Sequence, residues 1–468
     1  MGSASVELPE DVLMLILAAL EVPDLVRAGS VCSSWHGAYT SLRDLGLCKQ
    51  QQTPCLLYTA KSAGAGAAGL YSLAEKKPYT LALPDPPIRS RYLIGSAYGW
   101  IITVDDRSEL HLVNPITGDQ IALPSITTIE HVTPTYDDNG AVKEYYSWAA
   151  MQDESEDPPS VFGLSKLRDY FFTKAFLSSD PSTGSYIVVV IHNPRWQISF
   201  ARGGDDCWTW LPPYEFFADC VFKDGLLYAL TNFGGIHAFD FSGPAVKQKV
   251  ILETVKDYIF ENMYIAEAPC GDLLQIWGDY HSIDQVKDVS QPELNPLEED
   301  DDFSEPEFDC GTFLHCSTLF KVYRVDLTAK NLVEISSLGE NVLFLGQNQS
   351  FCLRAEEHPQ LKANHVYFTD NDEYMPFGRK NISRDIGVLD LGNNTREKIV
   401  SPQIWSNWPS PVWMTPNPRK MDSASGRSTG GTAGAQAPPA GCRRLVFRHG
   451  WSVAFLFLLF SLFVSWFI

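Results

Sequence analysis

One grammar repeats through the middle of this 468-residue chain and constrains its fold more than any other feature: a short apolar run, a polar turn, and another short apolar run. LHLVNPITGDQIALP (110–124), LFKVYRVDLTAKNLVEI (319–335) and IGVLDLGNNTREKIV (386–400) show it best. The turn residues in ITGD, DLTAKN and LGNN are types that accept the bent or left-handed backbone of tight hairpins. WIITV (100–104), YIVVVI (186–191), GLLYAL (225–230), IHAFDF (236–241) and HVYFTD (365–370) read as further strands. The 30 prolines and 33 glycines punctuate this region, which favours many short strands over long helices. Hairpins returning about every 40–50 residues predict an all-β propeller over 50–414, kelch-like, in preference to a sandwich. Two inserts, at 125–168 and 284–309, interrupt the pattern and leave room for six or seven blades.

The first fifty residues obey a different period. In ELPEDVLMLILAAL (7–20), Leu13, Ile16, Leu17 and Leu20 recur at helical spacing behind Pro9, Glu10 and Asp11. Two acids suit the positive end of a helix dipole, and proline at a helix start loses no hydrogen bond. VPDLVRAG (22–29) and VCSSWHGAYTSL (31–42) predict two more short helices. A three-helix module over 5–48 is too small to bury a large core and needs a partner surface.

At 8–35 the series is specific. Leu8, Pro9, Leu13, Ile16, Leu20, Asp24, Leu25, Arg27, Val31, Cys32 and Trp35 stand in an order that resembles the F-box motif. The body carries a second likeness: YGWIITVDD…LHLVNPITG, GTFLHCSTLFKVYRVDL, SLGENVLFLGQNQSFCL, NHVYFTDND and RDIGVLDL resemble plant F-box proteins with a KIB-type β-propeller, a domain also catalogued as one of unknown function. The resemblance implies a three-helix unit docking on a Skp-family adaptor and through it a cullin. By it, Leu8, Pro9, Leu13, Ile16, Leu20, Leu25, Val31 and Trp35 form the adaptor contact or support it. It also implies that the propeller chooses an unidentified protein substrate.

The other end of the chain is read as a membrane anchor. Residues 451–468, WSVAFLFLLFSLFVSWFI, hold no charge and would extend about 27 Å as a helix, close to a bilayer's hydrocarbon thickness. Trp451 and Trp466 stand near its ends, with Leu456, Leu459 and Phe463 between them. Arg443, Arg444 and Arg448 precede it, which favours a cytosolic approach. The expectation is a C-terminal transmembrane tail anchor, joined to the body by a flexible Ser/Gly/Ala/Pro-rich linker at 416–441. The body would then face the cytosol; without a true anchor it would be cytoplasmic or nuclear.

Charge excludes one class of partner. The net charge of −21 is a poor match to nucleic-acid phosphates. About half of it sits at 284–309, where eleven acids accompany one lysine and predict a disordered loop. No cofactor or metal is expected. Cys310, His315 and Cys316 lack a fourth ligand at zinc spacing. GAGAAG (64–69) matches a dinucleotide fingerprint, yet Pro78 leaves no room for the long helix that such a site requires, so a hairpin loop is expected. No catalytic residue is assigned. The expectation is a non-catalytic substrate-recognition subunit of an SCF-type ubiquitin ligase. The alternatives are a membrane scaffold that binds the adaptor without a ligase and, behind it, a metal-dependent propeller enzyme.

Overall fold

Two-residue turns with both residues at positive φ set the hairpins of the body. Tyr98 (φ 52°) with Gly99 (φ 81°) closes one, and Asp224 (φ 50°) with Gly225 (φ 78°) closes another. Such turns match the right-handed twist of the strands they join. A computed structural model describes residues 8–49, 52–148, 158–256, 262–282, 315–369 and 384–421. All of these fall in one compact unit.

Three helices open the chain: α1 (Glu10–Ala18), α2 (Val22–Gly29) and α3 (Ser33–Asp44). Six sheets then form successive blades. Blade 1 comprises Cys55–Tyr58, Ala67–Ser72 and Lys77–Ala82, completed by Val412–Met414 from the far end of the ring. Blade 2 is Tyr92–Ala97, Trp100–Val104, Leu110–Val113 and Gln120–Ala122. Blade 3 is Phe172–Leu177, Ile187–His192, Gln197–Arg202 and Thr209–Leu211. Blade 4 is Phe217–Lys223, Leu226–Thr231, Ile236–Asp240 and Lys247–Leu252. Blade 5 is Asn262–Glu267, Leu273–Ser282, His315–Asp326 and Asn331–Ile335. Blade 6 has five strands: Asn341–Leu345 pairs parallel with His365–Phe368, an arrangement no simple meander produces.

Why the strands read as unbroken apolar runs follows from the packing. Each blade is covered on both faces by its neighbours, so both sets of alternating side chains are buried. In blade 3, Val188 and Val190 pack towards blade 2, while Val189 and Ile191 pack towards blade 4. Further clusters join blades 4 and 5, 5 and 6, 6 and 1, and 1 and 2, so the hydrophobic core closes as a ring. The seam is the pairing of Cys55, Leu56 and Leu57 with Met414, Trp413 and Val412.

A seventh sheet of three strands (Val132–Tyr136, Val142–Ser147 and Ser160–Gly163) stands between blades 2 and 3, inside the stretch expected to be an insert. Gly64 turns the chain at φ 85° between two strands of blade 1, and Gly69 lies inside a strand, so GAGAAG is hairpin and strand. The acidic segment 284–309, with Cys310, lies outside the described residues.

The expected C-terminal transmembrane helix requires correction. Among the described residues no helix is long and apolar enough to cross a membrane. The longest of the opening three, α3 with 12 residues, would extend about 18 Å against the roughly 30 Å of a hydrocarbon core. Residues 451–468, with Trp451, Leu456, Leu459, Phe463 and Trp466, lie outside the described residues. The fold is a three-helix module followed by an all-β propeller body. The first residues assigned to a flexible linker also differ from expectation, because 417–421 are held against the propeller. Asn417 Nδ2 donates to Tyr98 O and Asp180 Oδ2, and Met421 N donates to Asp119 Oδ2.

Candidate functional site: an apolar helical face held on the propeller

The helical module folds around Leu13, Leu17, Leu25, Ala38, Leu42 and Cys48, with Leu20 and Trp35 half-buried against them. Removing these side chains from water contributes on the order of 1.5–3 kcal/mol each for the larger ones. That accounts for one stripe of α1 only. On its other side Val12, Leu15 and Ile16 are exposed, and Leu15 leaves 74% of its surface in solvent. Leu8 precedes them, while Val26, Val31, Leu45 and Leu47 add exposed apolar surface on the rest of the module. Eight of the sixteen large apolar side chains exposed among the described residues therefore fall between residues 8 and 47. A surface so dense in exposed apolar groups marks an interaction face.

The eight residues singled out from sequence divide by position. Leu8, Pro9, Ile16 and Val31 are exposed and able to meet a partner directly. Leu20 and Trp35 are half-buried. Leu13 (1% exposed) and Leu25 (0%) lie in the core, so they act only by holding the helices together. Val12, Leu15, Val26, Leu45 and Leu47 escaped the motif reading. The signal for Leu15 was available: it stands between Leu13 and Leu17, so a helix with those two inside must turn Leu15 outward.

The module is fixed to the propeller at three places. At the first, the Glu21 carboxylate accepts from Thr53 N (3.0 Å), Thr53 Oγ1 (3.0 Å) and Lys49 Nζ (2.6 Å). Gln52 fixes the same corner, accepting from Val22 N at 2.8 Å and donating to Leu20 O at 3.1 Å. Thr53 Oγ1 also meets His358 Nδ1 at 3.1 Å, in the connection of blade 6. Burial first, and Lys49 nearby, hold His358 below the usual histidine value.

At the second place, Arg27 on α2 reaches blade 1. Its Nη2 donates to the Glu75 carboxylate at 2.6 Å and to Tyr79 Oη at 2.9 Å, and its Nη1 pairs with Asp24. The Glu75 and Tyr79 hydrogen bonds raise the Arg27 guanidinium above its ordinary value. Partial burial opposes ionisation of Glu75, yet hydrogen bonds from Tyr79 and Arg27 prevail and lower it. The third place is Arg43 Nε, which donates to Pro418 O at 2.8 Å. Arg419 packs over Gly46 closely enough to come 3.0 Å from a Cβ there.

The middle of the ring is filled by protein. Gly346–Ser350, the turn between two strands of blade 6, lies across it. Gln349 N donates to Ser96 O of blade 2 at 3.0 Å, and its Oε1 accepts from Leu177 N of blade 3 at 3.0 Å. Ser350 Oγ donates to Asp219 of blade 4 at 2.9 Å. Asp219 also accepts from Ile265 N of blade 5 and pairs with Lys174 of blade 3 at 2.9 Å, both side chains being essentially inaccessible. Five blades thus converge on one polar knot. Gly346, at φ 140°, is where the chain bends tightly: a Cβ there would overlap Thr369 Oγ1. The surfaces left open to a partner are therefore the faces and the rim.

Comparisons with known proteins agree with this layout. The KIB1-4 beta-propeller family matches residues 70–390 and the F-box-like family residues 6–42. F-box protein SKIP23 of Arabidopsis thaliana is 24% identical over 441 residues, covering 89% of this chain and 96% of that protein. F-box protein KIB4 of the same plant is 25% identical over 242 residues, covering 50% of this chain and 58% of that protein. Among solved structures, the Myceliophteria thermophila Cps50 (Swd1) beta-propeller domain aligns with 74% of this chain and 96% of its own, at 8% identity and a TM-score of 0.27, a likeness too slight to add to the fold described above.

Proposed function

The chain belongs to the KIB1-4 β-propeller family, with an F-box-like module ahead of the propeller, and from that premise we propose that it is the substrate-recognition subunit of an SCF-type ubiquitin ligase. The F-box-like domain implies binding of a Skp-family adaptor, and the adaptor brings a cullin. Leu8, Val12, Leu15, Ile16, Val31 and their exposed neighbours are the surface it covers; Leu13 and Leu25 keep that surface in shape. The propeller then holds the protein to be tagged.

No residue of this chain takes part in bond making. A ligase of this kind works by proximity: holding a substrate lysine near a charged conjugating enzyme raises its effective concentration. Such a device needs a fixed distance between its two surfaces, and the threefold attachment of the helical module provides one. The observation that carries the reading is the concentration of exposed apolar side chains on a module whose other stripe is fully used.

Affinity purification of the tagged chain tests it. Skp adaptor and cullin should co-purify, and both should disappear with Leu15→Asp/Ile16→Asp while the fold is retained. Adaptor without cullin would favour the scaffold reading; neither partner would end the proposal.

A further inference from the structure

On the rim of the ring, a groove of about 410 Å³ runs between blades 4 and 5. Its apolar lining includes Leu226, Tyr228, Ala238 and Ile251, with Leu327 at the edge and 48% exposed. Lys247 and Lys249 enter it from the outer strand of blade 4, and Lys330 from the outer turn of blade 5. Among the described residues no side-chain hydrogen bond or close ion pair engages the ammonium of any of these three lysines, although Lys247 stands across from Asp240 and helps lower its pKa. The acid in the lining, Asp240, already accepts from Ser242 N at 2.8 Å. Three lysines against one aspartate leave the groove at +2 in a chain whose net charge is −21.

Lysine on an edge strand has an ordinary explanation, since it discourages edge-to-edge aggregation. Two features exceed it. Lys330 belongs to another blade and converges on the same space, and the floor between the charges is apolar. Lys247–Leu252 is also the terminal strand of its sheet: one backbone edge pairs with Ile236–Asp240, and no strand among the described residues pairs with the other. Unused backbone groups, an apolar floor and an excess of cations are together the complement of one kind of ligand.

We propose that this groove binds an extended acidic segment of the protein to be ubiquitinated. The segment adds as a fifth strand along Lys247–Leu252. Every second side chain of the segment faces the groove; of these, apolar ones enter the floor beside Ile251 and Leu327, and carboxylates meet Lys247, Lys249 and Lys330. Main-chain hydrogen bonds supply affinity in this mode, and side chains supply selection. The proposal rests on the receptor reading and names its substrate class. The turn that carries Lys330 is blade 5's counterpart of the turn holding Glu75 in blade 1, so the groove opens on the side of the ring that carries the helical module.

The test uses the full chain co-purified with its adaptor and a fluorescent peptide of Glu-Ser-Val-Ser repeats, which shows Glu and Val on one strand face, with the matching Lys/Val peptide of Lys-Ser-Val-Ser repeats as control. Fluorescence anisotropy should show saturable binding of the acidic peptide only. Affinity should weaken at least about tenfold in Lys247→Glu/Lys249→Glu/Lys330→Glu, and should fall as salt rises from about 50 to about 300 mM. Lys→Gln at the same three positions should give an intermediate loss, which separates charge from folding damage. Absence of binding, equal binding of the Lys/Val peptide, or unchanged affinity in the charge-reversed variant overturns the proposal. So does a dimer of the wild-type chain that the charge reversal abolishes, since the groove would then be filled by a second copy. Retained adaptor and cullin beside a failed peptide assay would sink the groove alone; loss of cullin beside successful peptide binding would sink the receptor reading alone.

Discussion

His192 is fully buried in blade 3, with Nε2 2.8 Å from Ser199 Oγ, Nδ1 2.8 Å from Asn193 O and its ring stacked 4.9 Å from Phe171. Burial, only partly offset by the Asn193 carbonyl, pushes its pKa down to about 3. The unfolded chain takes up this proton near pH 6.5 and the folded chain does not, so protons favour the unfolded state as pH falls through that window. The expected outcome is a loss of about 1.4 kcal/mol of stability per pH unit between about pH 6 and pH 4 from this group alone. Urea unfolding at several pH values checks it: His192→Gln should have a flatter profile than the parent, and identical profiles would exclude the assignment. Nothing in the sequence singles out this histidine. YIVVVI announces a buried strand, but whether the polar residue at its end faces solvent or the interior depends on the insert sheet and helix α4 (Leu167–Phe171) packed over it.

At the scale of the element, α1 separates side chains that shape a surface from those that form it. Leu15→Asp should leave stability within about 0.5 kcal/mol while abolishing adaptor binding, because the side chain is exposed and touches no core. Leu13→Ala should instead cost about 2–5 kcal/mol and weaken adaptor binding only through the fold. Thermal melts beside an adaptor pull-down distinguish the two, and equal melting temperatures would contradict the placement of Leu13. The strands were legible because turns such as Asp224-Gly225 are encoded locally. The blade count was not, because a three-stranded insert interrupts the repeat after blade 2 and a parallel crossing distorts blade 6. The turn Gly346–Ser350 was equally hidden. Its sequence, GQNQS, reads as an ordinary surface loop, and only the closed ring turns those amides inward to partners distant in the chain.

For the whole molecule, the relevant property is the stiffness of the join between helices and ring. Glu21, Arg27 and Arg43 each spend their charge on groups of the propeller or of the chain entering or leaving it. Replacing Glu21 and Arg27 together by Ala should leave adaptor capture intact but uncouple the two bodies. Calorimetry should then resolve a separate low-temperature transition of the helical module, and ubiquitin transfer to a bound substrate should slow. A single unchanged transition would show that the join does not depend on these contacts. The motif at 8–35 singled out a helical module with apolar side chains, whereas these contacts could not be foreseen, since Arg27 and Glu75 meet only once blade 1 exists.

The seam of the ring has a consequence for synthesis. Blade 1 lacks its innermost strand until Val412–Met414 has left the ribosome, although Cys55 emerged hundreds of residues earlier. Pro418, which receives Arg43, appears later still. A nascent or truncated polypeptide can therefore form the three helices but lacks both the closed blade 1 and the Arg43 contact that complete their attachment. On the receptor reading proposed above, only a chain translated through this seam sets the helical module and the closed ring at their working separation, and incomplete copies that capture the adaptor deliver cargo to it poorly.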